Sequence, residues 1–309
     1  MARVLILFTE ESIDSDTARP EALQQLLQST APDLSVDVAT FQDVVFSLAP
    51  NNVSVYIPHL GRDIAEYGAV YLRRIEQYSN EAVAVGKYCL AKHVPVFDEE
   101  IALRPGSTSK LTQYIQLALE GLPIPTTIYS ITGGRLLDSL AHPQHGLAFP
   151  IILKAINGSR GEDNYYVETI QQARDLIAEH HSVFFLAQQF IPNSSDYRIW
   201  VCGGKLGPIL ARTRVTGHMN NTSQGAQATL VEDPSKLPAK VLEDSIRASK
   251  LLYRTIAGVD IVFANDDIHG AYFILEVNRN PQIEGTQFED LKANALAEYF
   301  LSVVKDTSK

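Results

Sequence analysis

Cysteine is nearly missing from this chain: only Cys89 and Cys202 occur among 309 residues, far apart and in no C-x-x-C spacing. That excludes a disulfide framework and a thiolate zinc site, and it suits a reducing compartment. An excess of positive charge is missing too. Lys and Arg number 26 against 36 Asp and Glu, a formal net of -10, so there is no electrostatic footprint for nucleic acid or for an anionic membrane surface. Long apolar runs are also lacking. The opening MARVLILFTEESIDSD reaches acids soon after Phe8, too early for a signal-peptide core or a membrane span, and VLILF is expected to be the first strand of a cytoplasmic protein. No G-x-G-x-x-G follows that strand, and neither G-x-x-x-x-G-K-[ST] nor G-x-S-x-G occurs. The usual dinucleotide cradle, the P-loop and the serine-hydrolase elbow are therefore absent. The histidines show no H-x-x-x-H spacing and offer no zinc set.

What is present is enough apolar residue, 45%, for two or more packed domains. After the first strand, an amphipathic helix is expected around Pro20 to Gln28, a strand near Leu34 to Ala39, another in GAVYLRR, a helix over 80–93 and a short strand in HVPVF. Strands alternating with helices predict a parallel sheet covered on both faces. A helix from Lys110 to Leu119 stops at GLPIP. From Phe149 the pattern changes to strand, glycine loop, strand, followed by a helix over Gln171 to Glu179 and a strand in VFFLAQQFI. DYRIWVCGGKLGPILARTRV reads as a hairpin turned at Gly203 and Gly204, residues 236–254 as a helix, and GVDIVFANDDIHGAYFILEVN as a second hairpin.

That second hairpin carries the strongest chemical signal. Side chains alternate along a strand, so Phe273, Leu275 and Val277 are expected on one face and Ile274, Glu276 and Asn278 on the other. If the hairpin is centred near Ile268, Asp260 lies directly across from Glu276. Facing carboxylates repel unless something positive lies between them. Magnesium does this well with one or two carboxylates and phosphate oxygens, and Asn278 can add an amide oxygen. A weaker signal is Lys154, at the end of a strand before Asn157-Gly158-Ser159-Arg160-Gly161, where backbone N–H groups and an ammonium suit a phosphate. A third is the set Arg198, Arg212, Arg214, Asn220 and Asn221, with Arg212 and Arg214 on one strand face. Taken singly, each of these residues reads as a solvated side chain or a plain turn; Lys110 alone would be a surface lysine.

In order, the stretches SKLTQYIQLALEGLPIPTT, FPIILKAINGSRG, LAQQFIPNSSDYRIWVCGGK, ARTRV through NNTSQGA, GVDIVFAN and FILEVNRNPQIEG resemble the ATP-grasp superfamily, and within it the RimK-like carboxylate-amine ligases. The resemblance covers nearly the whole chain. It implies a mixed α/β and α+β architecture: an N-terminal Rossmann-like pre-ATP-grasp domain over 1–100, a central ATP-grasp subdomain with the glycine loop over 101–190, and a C-terminal subdomain with the magnesium site over 191–309. It also implies ATP and Mg2+, with Mn2+ as a substitute, as cofactors. By the same likeness Lys110 and Lys154 touch ATP, and Asn157, Gly158, Ser159 and Gly161 close over the triphosphate. Gln188, Gln189, Phe190 and Ile191 form the hinge that reads adenine, and Asp196 is the acid near the nucleotide. Arg212 and Asn221 match the positions that bind the transferred phosphate or the acyl intermediate, and Asp260, Glu276 and Asn278 match the metal ligands.

The implied reaction is an ATP-dependent ligation of a carboxylate to an amine through an acylphosphate, with an amino acid, typically glutamate, added to a protein, peptide or small-molecule acceptor. Relatives are commonly dimers or tetramers. A phosphotransferase and a regulatory module that binds Mg-ATP without turnover stand as alternatives. The chain departs from its relatives at Ser109, Gln189, Met219, Gln224 and Ala226, where they usually carry Asp, Glu, Arg, Arg and Gly, so the rim that meets the amine has lost positive charge.

Overall fold

Strand β1 (Ala2–Phe8) is apolar from Val4 to Phe8 because both of its faces are covered. Val4, Ile6 and Phe8 pack with α1 (Pro20–Thr30) and α8 (Glu289–Asp306), whereas Leu5 and Leu7 pack with α2 (Ser79–Ala91). In this computed structural model, which describes residues 2–9, 20–75, 77–103, 109–142, 147–156, 164–213, 227–279 and 281–306, β1 lies between β2 (Leu34–Thr40) and β6 (Ala69–Arg73). The short β7 (Val96–Phe97) runs outside β6, and all four strands are parallel. The sequence reading did not anticipate β3 (Val45–Ala49), β4 (Asn52–Ile57) and β5 (Arg62–Asp63), which form an antiparallel sheet of their own. Their alternation is blurred because Val45 and Leu48 remain exposed.

The second sheet runs in the order β10 (Asn164–Val167), β9 (Ile151–Ala155), β11 (Phe185–Gln189), β8 (Thr127–Tyr129), all antiparallel. Ile151, Leu153 and Ala155 turn toward Leu136 and Leu140 of α5 (Gly133–Leu140) and Ala173 of α6 (Ile170–Glu179). Thr169 and Gln172 form a reciprocal cap that starts α6. Alternation puts Lys154, Leu186 and Gln188 on the opposite face, where Leu186 and Gln188 are also buried.

The third sheet has the order β14 (Gln227–Leu230), β13 (Lys205–Thr213), β12 (Ser195–Cys202), β15 (Ile256–Phe263), β16 (Tyr272–Asn278). The turn between β12 and β13 needs two residues of positive φ, and Gly203 and Gly204 take φ 57° and 75°. Ile199, Val201, Val259 and Ile261 pack under α4 (Lys110–Leu119) and α7 (Ala239–Leu251). Trp200 and Cys202, on the other face, join the core of α8 and the first sheet. Helix α8, which the sequence reading did not distinguish, thus binds the two sheets together. Its Phe300 stacks on Phe97 at 4.7 Å and meets Tyr71 edge-on at 5.7 Å.

One expectation about β16 needs correcting. Register runs Asp260 to Glu276 and then Ile261 to Ile274, so Leu275 is an extra, bulged residue. Strict alternation therefore breaks: Ile274 turns into the same core as Val277, while Glu276 and Asn278 stay on the face of Asp260. Among the described residues no helix is long and apolar enough to cross a membrane. We expect Phe300→Ala to cost about 3–5 kcal/mol in urea unfolding, as a lost buried ring does, whereas Leu119→Ala, 81% exposed, should stay within about 0.5 kcal/mol.

Candidate active site

The polar face of the third sheet carries four buried or half-buried charges in alternation. Asp196 and Arg212 face each other across β12 and β13, and Arg198 and Asp260 across β12 and β15. Arg212 binds both oxygens of Asp196 at 2.6 and 2.9 Å and reaches Asp260 at 3.2 Å. Arg198 binds both oxygens of Asp260 at 2.7 Å. Planar guanidinium forks suit such bidentate pairing. Burial raises Asp196 to about 6 against the pull of Arg212. Burial would raise Asp260 as well, but the two flanking guanidiniums win and hold it below the usual carboxylate range.

Asp260 and Glu276 are register partners, as the hairpin centre predicts, and Asn278 donates its amide to Asp260 at 3.1 Å. The positive charge that facing carboxylates require is supplied by Arg198 and Arg212 from neighbouring strands. Arg198 was grouped with the basic residues in the sequence but not assigned to the site. Its pairing crosses 62 residues of chain, and only the β12–β15 register reveals it. No three His, Cys, Asp or Glu converge among the described residues. The donor set of two carboxylates and an amide fits a hard cation that takes its remaining oxygens from phosphate and water, not a closed protein cage.

Lys154 approaches this face from the second sheet. Burial lowers its ammonium to about 8, while Glu276 and Asp260 pull it upward, which places the lysine within electrostatic reach of both carboxylates. Helix α4 fills the corner between the sheets. Ser109 caps it by accepting from Thr112 N–H at 3.2 Å, a task that serine performs as well as aspartate. Lys110 donates to the carbonyl of Ala155 at 3.3 Å, at the end of the strand that carries Lys154. Gln113 pairs with the backbone of Val277, and the Tyr114 hydroxyl donates to the carbonyl of the bulged Leu275 at 2.6 Å. Neither Gln113 nor Tyr114 was singled out in the sequence, since on a helix they read as ordinary amphipathic filling.

Gln188 and Gln189 still belong to β11, and Gln189 N–H donates to Thr126 O at 2.8 Å. The segment released from the ladder begins at Phe190 and Ile191. It is fixed from the other side by the β15–β16 turn, where Asp266 accepts from Ser194 and Ser195 and Asn265 N–H donates to Pro192 O. Asp196, read from the sequence as an acid near the nucleotide, is fully engaged by Arg212. Arg212 keeps Nη1 buried with no hydrogen-bond partner among the described residues. Asn157, Gly158, Ser159, Gly161, Arg214, Met219, Asn220, Asn221, Gln224 and Ala226 lie outside the described residues.

A family model, the RimK-like ATP-grasp domain, matches residues 108–301. A "Probable alpha-L-glutamate ligase" of Alkalilimnicola ehrlichii is 27% identical over 248 residues, 76% of this chain and 71% of that protein. One of Cellvibrio japonicus is 25% identical over 283 residues, 89% of this chain and 84% of that protein. The fold is that of the ATP-grasp ligase PsnB, solved with minimal precursor, Mg and ADP: TM-score 0.69, 16% identity, 97% of each chain.

Arg212→Met should destabilise the fold by about 3–5 kcal/mol in urea titration, because it leaves buried carboxylates uncompensated. Arg247→Ala breaks the pair with Glu120, whose side chains are 44% and 51% exposed, and should cost only about 0–1 kcal/mol.

Proposed function

The chain belongs to the RimK-like ATP-grasp family and is an ATP-dependent ligase, and we propose that it joins a substrate carboxylate to the amine of an amino acid through an acylphosphate. The observation that carries this reading is the opposition of Asp260 and Glu276 on a polar sheet face, with Asn278 beside them and Lys154 within electrostatic reach from the second sheet. Asp260, Glu276 and Asn278 would hold a hard cation, which would supply neutralisation of phosphate charge during phosphoryl transfer. Lys154 and Lys110 would orient the triphosphate from the end of β9. Phe190 and Ile191 would present backbone to adenine, with Gln188 and Gln189 holding the segment to its sheet.

Arg212 would meet the transferred phosphoryl group with its spare Nη1, its fork already fixed by Asp196 and Asp260. A donor oriented in advance stabilises developing charge without reorganising during the step. Asn221 and the loop of Asn157, Gly158, Ser159 and Gly161 are assigned by family likeness to the same phosphates. An acylphosphate hydrolyses in water, so the cleft between the two sheets has to close before the amine attacks. The curated relatives are named for glutamate. Met219 and Gln224 stand here where relatives carry arginine, which reduces the attraction for a second carboxylate and leaves the amine as an amino acid of wider choice.

The test is ADP release by the purified protein with Mg-ATP and each amino acid singly, with products weighed by mass spectrometry. A stimulated rate with a product one water lighter than its parts supports the ligase reaction proposed. Release of ADP with a phosphorylated product and no amide overturns it. Glu276→Gln should remove turnover by about a hundredfold or more while leaving the thermal transition in place, since Glu276 faces the cleft and not the core. A lost transition would contradict that placement.

A pH profile checks Lys154. Bound phosphate adds negative charge beside a lysine lowered to about 8, so ATP affinity should be full below that pH and fall as the pH rises through it. Lys154→Arg, which keeps its charge, should bind ATP with a flat profile over the same interval. A wild-type profile equally flat would sink the assignment.

A further inference from the structure

The small antiparallel sheet β3-β4-β5 ends in two unlike edges. A bare strand edge offers unpaired N–H and C=O groups to any other strand, so folded proteins shorten it, charge it, kink it or cover it. Strand β5 follows that rule: it is two residues long, and both, Arg62 and Asp63, are charged. Strand β3 breaks it. Its residues Val45–Ala49 include no charge and no proline, its pairing with β4 runs without a bulge, and no strand lies beyond it among the described residues.

Apolar side chains are bare on the same hairpin. Leu48 is 72% exposed and its register partner Val53 41%, while Val45 is 51% exposed and its partner Tyr56 38%. Leu48 and Val53 share the sheet face of Phe46 and Val55, which pack in the core with Ile57 and Ile64. That face therefore runs on past the end of its own core. With side chains of roughly 100–200 Å² each, the four residues present on the order of 300 Å² of apolar surface. A stable pairing of two chains needs roughly 600 Å² from each. The rest is available from the β3 backbone edge and from Ser47, Ala49, Pro50, Asn51 and Asn52, all exposed.

Charge and symmetry specify the occupant. From Val44 to Pro58 the chain holds no charged residue, although its formal net is -10. Two copies repel over most of their surface and meet at least cost where charge is missing. Strand β3 is also complementary to itself. When two copies run antiparallel and cross at Ser47, Phe46 lies beside Leu48 of the partner subunit and Val45 beside Ala49 of the partner subunit. Each bare Leu48 then extends the apolar face that begins at the partner subunit's Phe46, and both overhangs are covered at once. Such an isologous contact closes at two copies. We propose that β3 is the contact through which this protein dimerises, by antiparallel β3–β3 pairing that joins two three-stranded sheets into one of six strands.

Analytical ultracentrifugation of the intact protein tests this. Wild type should sediment as a pair of 34.1 kDa chains at micromolar concentration. Leu48→Lys enters a twofold contact twice and should raise the dissociation constant about tenfold or more, with the circular dichroism spectrum unchanged because Leu48 is bare within its own chain. A dimer that this substitution leaves intact would place the contact elsewhere and overturn the proposal. So would a monomeric wild type; if that monomer binds a labelled peptide of residues 44–50 and Leu48→Lys does not, the edge belongs to a foreign strand. Ser47→Cys reads the register: two thiols meeting across the axis should give a covalent dimer on a non-reducing gel after mild oxidation. Ser302→Cys, exposed on α8, should not, and the native Cys89 and Cys202 are buried. Equal cross-linking of both variants, or of neither, would overturn the pairing at Ser47.

Discussion

The alternating chain Asp196, Arg212, Asp260, Arg198 is the interaction on which the candidate active site depends. Ion pairs taken out of water contribute little net stability unless their geometry is good and their remaining lone pairs are filled. Here both arginines bind bidentately, and Asn278 takes a further position on Asp260. The consequence is orientation more than energy. Each guanidinium is held between fixed carboxylates, so its direction is set before any ligand arrives. The one donor left over, Nη1 of Arg212, is then aimed by the network and not by its own rotamer preference.

A sheet can carry such a face only if its other face supplies the hydrophobic core. Ile199, Val201, Val259 and Ile261 do so beneath α4 and α7, and the bulge at Leu275 lets β16 serve both requirements. Without the extra residue, Ile274 would share the polar side with Glu276. With it, Ile274 joins the core and Glu276 still meets Asp260. The bulge also releases the Leu275 carbonyl to accept from Tyr114, which ties α4, and with it Lys110, to the strand that bears the carboxylates. A local irregularity in pairing thus connects sheet packing to the position of Lys110, the lysine proposed to orient the triphosphate.

Much of this could be read from local pattern. Alternation and the hairpin centre place Asp260 across from Glu276, and the stop at GLPIP places the end of α4 at Leu119. The parts that escaped are those decided at long range. Arg198 reaches Asp260 only through the β12–β15 pairing, Tyr114 reaches Leu275 only through a bulge that no residue type announces, and α8 finds its partner in a sheet built from the other end of the chain. Asp98 is invisible for a similar reason: after a two-residue strand it reads as a loop acid, yet burial pushes it up to about 7. The β3–β5 sheet was missed because its exposed Val45 and Leu48 break the two-residue period.

The two buried charge systems differ in what they have left undone, and that difference orders their roles. In the third sheet Asp196 and Asp260 are satisfied by arginines of the same sheet, so that part of the face is ordered without a ligand. At the ends of β6 and β7 each side brings one acid and one base, Arg73 and Asp98 from the first sheet and Arg279 and Glu284 from the segment after β16, and Arg73 approaches Glu284 to 3.5 Å. Neither side completes the other.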